Sequence, residues 1–273
     1  IIMQEKRILY VTTEMVPYFP ENPMSSQALA LPKLMQSDGA DVRIFMPRFG
    51  VINERRHQLH EVIRLSGMNM IINDIDQPLI IKVASVPNER LQVYFIDNEE
   101  YFKRKEVYTT KNGEMAADND ERAIFFAKGV LETVKKLNWK PDVVHILGWM
   151  SGLLPLYLRK YYQDDPFFHD TKVVVSLFDN GFKGELNPDI VNKLAFDKVE
   201  GEVKEYLDTP THLAWVQAAL KYADAIVKGE EKIPIDVEEF IKSKDLPLLD
   251  FQAGELAKEV YKNFYIEEVI NAN

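Results

Sequence analysis

The sequence predicts an α/β fold built on one mostly parallel, helix-flanked sheet, and three observations predict it. Short apolar runs rich in β-branched residues recur at 7–12 (RILYVT), 41–46 (DVRIFM), 142–147 (DVVHIL) and 172–178 (KVVVSLF). Such runs suit strands covered on both faces. Helical patterns separate the first run from the second and the third from the fourth, at the length of a strand–helix–strand unit. The chain has 273 residues with 46% hydrophobic content, enough for a sizeable core.

Residues 7–12 read as the first strand, ending in the polar triplet Thr12-Thr13-Glu14. The next loop carries Pro17, Pro20 and Pro23. Ser25-Ser26 stands where a helix N-cap belongs, ahead of Leu31, Leu34 and Met35 at helical spacing, and Gly39 closes that helix. After the 41–46 strand, runs at 61–74, 78–85 and 91–97 alternate with polar turns and predict an antiparallel insertion or edge hairpin. Residues 120–137 predict an amphipathic helix with Ile124, Ala127, Leu131, Val134 and Leu137 on one stripe. At its start Asp118 or Asn119 suits an N-cap and Glu121 the first turn, which leaves open whether Asp118, Asn119 and Arg122 are purely structural. A helix over 149–161 joins the last two runs. Past Lys228 strand signals vanish, and 229–273 predicts a helical tail. Its last helix sets Leu256-Ala257, Val260-Tyr261 and Phe264-Tyr265 four apart, a wide apolar stripe that should lie flat on the body.

Composition narrows the function. With 33 basic and 43 acidic residues the net charge is −10, which lacks the basic footprint that nucleic acid or an anionic membrane demands. No apolar run approaches the ~18 to 20 residues of a membrane helix, and no leader-like segment opens the chain, so a soluble cytoplasmic protein is expected. The absence of cysteine rules out disulfides, thiol nucleophiles and Cys-ligated zinc. There is no dinucleotide-binding glycine fingerprint, phosphate-binding loop, nucleophile elbow or zinc-protease motif, so no cofactor is expected. His57 and His60 are three apart and could share a helical face as metal ligands. They lie in an Arg-rich stretch (ERRHQLHEVIR) without clustered carboxylates, which favours a solvated face and no metal.

In a doubly wound sheet the loops at the carboxyl ends of parallel strands converge on one crevice. Here those loops are 13–26, 148–152 and 179–184, and they carry Glu14, Trp149, Asp179, Asn180 and Phe182. That mixture suits a sugar, because aromatic faces stack on pyranose C–H surfaces while carboxylates and amides bond hydroxyls. Trp149 reads equally well as a core anchor. His145 ends a buried strand at the same edge, where a satisfied core histidine is the alternative to a ligand contact. The candidate substrate-binding set is Glu14, His145, Trp149, Asp179 and Phe182, with no catalytic residue assigned.

In order and spacing, the blocks at 14–33 (EMVPYFPENPMSSQALALPK), 41–50, 93–102, 118–126 and 139–153 (WKPDVVHILGWMSGL), followed by Tyr222-Ala223-Asp224, have a family likeness. The chain resembles the amino-terminal domain of bacterial glycogen and starch synthases, ADP-glucose-dependent enzymes of glycosyltransferase family five. It looks most like the short chains of this kind found in the Bacteroidetes. The resemblance implies a Rossmann-like GT-B amino-terminal half at 1–228. It further implies that 251–265, similar to the family's crossover helix, packs the 229–273 tail back on that half.

The functional residues carry over unevenly. The family's first loop, Glu-x-x-Pro-x-x-Lys-x-Gly-Gly-Leu, keeps Glu14 and Pro17, but Pro20 stands at the phosphate-facing lysine, Asn22 and Pro23 at the glycines, and Met24 at the leucine. In His-x-His-Asp-Trp-His-x-Gly-Leu, His145, Trp149, Gly152 and Leu153 match. Leu147, Gly148 and Met150 do not, and Met150 replaces the histidine beside the transferring sugar. Asp179, Phe182, Lys183 and Gly184 stand in a third altered block. About 45 residues follow Lys228, against roughly 200 for the donor-binding half. The expectation is therefore a glycogen/starch synthase-like chain lacking that half, impaired alone as a transferase and able to bind α-glucan or maltooligosaccharide. A subunit completed by a partner glycosyltransferase chain and a non-enzymatic regulatory or scaffold protein are the alternatives.

Overall fold

The computed structural model describes residues 3–254 and 257–272. In chain order the strands are β1 (Arg7–Thr12), β2 (Asp41–Pro47), β3 (His60–Glu61), β4 (Met68–Ile72), β5 (Ile75–Ser85), β6 (Gln92–Asp97), β7 (Val143–Leu147), β8 (Lys172–Leu177), β9 (Ala225–Lys228) and β10 (Leu248–Leu249). They form one sheet in the order β10-β9-β8-β7-β1-β2-β6-β5-β3, with β4 paired to β5. Every pairing from β10 across to β6 is parallel, and β5 runs antiparallel to β3, β4 and β6. The central strands β7 and β8 are buried almost throughout, as their unbroken apolar runs require.

The chain winds outward from β1 through β2 to β6, then returns by the Asn119–Lys136 helix to β7 and winds the other way. Reversing direction puts the right-handed crossovers on opposite faces and opens a crevice between the carboxyl ends of β1 and β7.

Four local expectations need correction. The 91–97 run is antiparallel to β5 as expected, but its other edge pairs in parallel with β2, so β6 joins the antiparallel β3, β4 and β5 to the parallel sheet. The first helix spans Pro23–Ser37 and is capped by Asn22, not by Ser25-Ser26, because Pro23 fits the first helical position and Ser25 closes a capping box. The 149–161 stretch is no single helix: a 3₁₀ turn (Trp149–Ser151), an α turn (Leu154–Leu156) and a π turn (Tyr157–Tyr161) follow one another. Pro155 lacks an N–H, and a Cβ on Gly152 would stand 2.9 Å from the Trp149 carbonyl. Finally, the tail contributes β10 to the sheet edge beside β9, although helices Ile235–Lys242 and Ala257–Asn263 dominate it.

The last helix lies flat, as its stripe predicts. Tyr261, Phe264 and Tyr265 are buried, and a π turn (Phe264–Ile270) continues the helix. Leu256 of the predicted stripe lies outside the described residues. The tail is pinned from both sides: Gln27 donates to the Tyr261 hydroxyl (3.0 Å), and the Tyr265 hydroxyl reaches Tyr10 (3.1 Å) and His145 (2.6 Å) in the sheet.

Candidate functional site

At the crevice between β1 and β7, Gly148 has φ +93°, and a Cβ there would fall 2.3 Å from Thr13 Oγ1 and 2.9 Å from Met24 Sδ. No side chain fits at this point. Met24 fills the space: its buried sulfur accepts from Thr13 Oγ1 (3.6 Å) and Asn180 Nδ2 (3.7 Å).

A helix N-terminus pointing into such a crevice ordinarily offers free N–H groups to a phosphate. Here the Ser25 N–H is spent on Asn22 Oδ1 (2.8 Å), and Pro23 has none. The Glu14 carboxylate already lies against the cap, accepting from Asn22 Nδ2 (2.9 Å) and from the Tyr108 hydroxyl (2.9 Å). Burial, then the Glu14 charge, push the Tyr108 phenol well above its ordinary value, so it stays a proton donor to Glu14. The amino end of the Pro23–Ser37 helix is thus capped by Asn22, filled by Met24 and faced by the Glu14 carboxylate.

Beside it opens a cleft of about 600 Å³ between two loops, 108–115 and 180–185. Tyr108, Trp149 and Phe182 form its aromatic side. Trp149 lies 5.3 Å from Tyr108 and meets Phe182 edge-on at 5.0 Å, measured between ring centroids. Trp215 supports Trp149 from below, donating to its backbone carbonyl (2.6 Å). Asn180, Glu114, Lys183 and Glu185 supply polar groups at the rim. Aromatic faces with scattered hydrogen-bonding groups are the chemistry of a carbohydrate site.

The structure brings Trp149 and Phe182 together in this cleft and joins Glu14 to it through Tyr108. Trp149 is 7% exposed, so it serves as core anchor and cleft wall at once. Asp179 is exposed on the adjoining rim, its N–H donating to the Glu230 carboxylate (2.9 Å), and does not line the cleft. His145 is placed in the core: it is fully buried, with Nε2 bonded to Ser176 Oγ (2.6 Å) and Nδ1 to the Tyr265 hydroxyl (2.6 Å). Both ring nitrogens are satisfied by protein, which leaves none for a substrate. Met150 is also fully buried. His57 and His60 share no helical face: His57 sits in a turn with its ring 5.0 Å from Tyr18, and His60 pairs with Val83 in β3. Among the described residues no group of three or more His, Asp or Glu is placed to hold a metal ion.

Tyr108 is the site residue that sequence reasoning missed. Its only signal is a lone aromatic in the polar stretch 103–114 (KRKEVYTTKNGE), and nothing local pairs it with Trp149.

The buried histidine predicts a pH effect. Burial pushes His145 down to about 3, while an unfolded histidine titrates near ~6.5. The unfolded chain therefore takes the proton first. Stability from this group is complete above about pH 6.5 and falls toward pH 3 by about 1 kcal/mol per pH unit. Urea midpoints at pH 7 and pH 5 should drop more for the parent than for His145→Gln; parallel drops would show that His145 carries none of the acid sensitivity.

The starch synthase catalytic domain family matches residues 7–233. Glycogen synthase from Chlorobium limicola is 37% identical over 194 residues, covering 71% of this chain and 40% of that enzyme. Glycogen synthase from Chlorobium phaeobacteroides is 34% identical over 235 residues, covering 82% and 48%. Among solved structures, the catalytic domain of starch synthase IV from Arabidopsis thaliana, bound to ADP and acarbose, superposes with a TM-score of 0.68 at 16% identity, covering 92% of this chain and 52% of that one. The chain thus spans under half the length of the curated relatives cited.

Proposed function

The chain belongs to the starch synthase catalytic domain family, and from that premise we propose that it is an α-glucan-binding member whose own crevice does not accept ADP-glucose. The single observation that carries this reading is the contrast between two neighbouring regions: an open cleft walled by Tyr108, Trp149 and Phe182, and a helix end closed by Met24 and Pro23. The Arabidopsis starch synthase structure carries ADP and acarbose. We take the carbohydrate of that pair to this chain and not the nucleotide.

Two features argue against glucosyl transfer by these residues. Pro20 is exposed and uncharged where the resemblance places a lysine. Met150 offers a thioether where a histidine would donate or carry a proton. Donor contacts for any transfer would have to come from outside residues 7–233.

Calorimetry of the purified protein tests this directly. Maltoheptaose is expected to bind with a Kd of about 1 mM or tighter, worth about 4 kcal/mol, and ADP-glucose to give no binding heat at the same concentration. Saturable ADP-glucose binding, or glucose transfer to glycogen, would sink the proposal.

A further inference from the structure

Residues 103–118 have almost no regular structure, yet they carry Tyr108 into the cleft. Their backbone is held by side chains from the start of the Asn119–Lys136 helix. Arg122 Nη1 donates to the Val107 carbonyl (2.7 Å) and to Asn119 Oδ1 (2.9 Å), and Asn119 Nδ2 donates to the Tyr108 carbonyl (2.8 Å). These bonds act as a unit. A guanidinium can only donate, so it fixes which end of the Asn119 amide faces it and turns the amide NH₂ toward Tyr108. Farther along, Arg104 closes the segment with a two-pronged pair to Asp118 (2.8 and 2.6 Å).

Arg122 is an expensive way to make one backbone contact. It is fully buried, its guanidinium carbon 5.3 Å from the Phe49 ring and 5.2 Å from Phe102, and among the described residues neither Nε nor Nη2 has a hydrogen-bond partner. Asp118, a carboxylate of the same segment, is committed to Arg104. A buried cation with two of its three nitrogens unspent destabilises a fold compared with an apolar side chain of similar length. Packing alone would be served better by methionine.

We infer that Arg122 and Asn119 are positioning residues for the glucan cleft, retained at a cost in stability because they hold the 107–108 backbone so that the Tyr108 ring faces Trp149 and its hydroxyl reaches Glu14. The link to glucan rests on the proposed function above; the link to the 107–108 backbone does not.

Three variants and three readouts test it. Arg122→Met keeps the slot between Phe49 and Phe102 filled, Arg122→Lys keeps one donor for the Val107 carbonyl, and Asn119→Asp keeps the acceptor for Arg122 but loses the donor to Tyr108. Arg122→Met is expected to melt at or above the parent's temperature while binding maltoheptaose at least about fivefold more weakly, with Arg122→Lys recovering part of the loss and Asn119→Asp reproducing it. Amide exchange in 105–116 should rise in Arg122→Met and Asn119→Asp while the rest of the chain keeps its protection. Unchanged exchange in that segment overturns the inference whether or not the parent binds glucan. So does a lowered melting temperature with unchanged affinity, which marks ordinary packing. A parent that binds no maltoheptaose while exchange rises as expected removes the glucan reading and leaves the positioning role standing.

Discussion

Replacing Tyr265 with alanine is expected to cost about 4 kcal/mol of folding stability, the middle of the range for an aromatic core truncation. The residue is fully buried. Its hydroxyl joins Tyr10 on β1 to His145 on β7, and His145 passes the chain of bonds to Ser176 on β8. Truncation therefore opens a cavity and strands buried polar groups on two strands, each of which costs stability when unpaired. Tyr265→Phe separates the two losses: it keeps the ring and should cost about 1 to 3 kcal/mol for the unmet bonds. The measurement is the urea midpoint of each variant. A loss below about 0.5 kcal/mol for Tyr265→Ala, as for a surface substitution, would mean that the tail rests on the domain without being part of its cooperative unit.

The frame of the fold was legible because the strands that matter are unbroken apolar runs; β1, β2, β7 and β8 fall where those runs stand. What misled was local. The VYFI run of β6 has the same composition whether its neighbour is parallel or antiparallel, and its pairing with β2 is decided by a partner some 50 residues away. The two-residue β10 is too short to carry any period. At the site, the proline and methionine at 23 and 24 announced that the crevice had changed, but composition does not say that the methionine sulfur fills it. That follows from the positive φ of Gly148, which lets the β7 loop approach Thr13 and Met24. His145 illustrates the opposite limit. Its place on a buried strand favoured a satisfied core histidine over a ligand contact, and the groups that satisfy it, Ser176 on β8 and Tyr265 in the tail 120 residues later, are long-range partners that the sequence does not pair.

The same comparison explains why a changed crevice need not mean a lost cleft. Under the proposed function, a diphosphate site here would depend on main-chain N–H groups and small residues, and Pro23 and Met24 supply neither. The aromatic wall depends on packing: Trp149 is held by Trp215 below and by Tyr108 and Phe182 at its sides. Residues 20–24 make none of those ring contacts; Asn22 reaches Tyr108 only through Glu14.

Trp149→Ala should therefore be the most damaging single change for glucan binding, lowering affinity about 30-fold for a loss of about 2 kcal/mol, the scale of a stacked aromatic anchor. Because Trp149 also anchors the core, its loss should lower stability by about 3 kcal/mol or more, and reduced binding alone would be ambiguous. Two milder variants resolve this. Trp149→Phe keeps an aromatic face at reduced area and should retain most of the stability with an intermediate affinity. Phe182→Ala removes a half-buried ring from the cleft side of Trp149 and should weaken binding about fivefold, near 1 kcal/mol, with little change in unfolding midpoint. Migration in glycogen-containing native gels reads affinity, and urea unfolding of the same samples reads stability. If Phe182→Ala and Trp149→Phe both migrate like the parent, the aromatic wall does not hold glucan, whatever Trp149→Ala does. If affinity falls in the order Trp149→Ala, Phe182→Ala, Trp149→Phe while stability follows burial instead, the ring faces themselves are the binding surface.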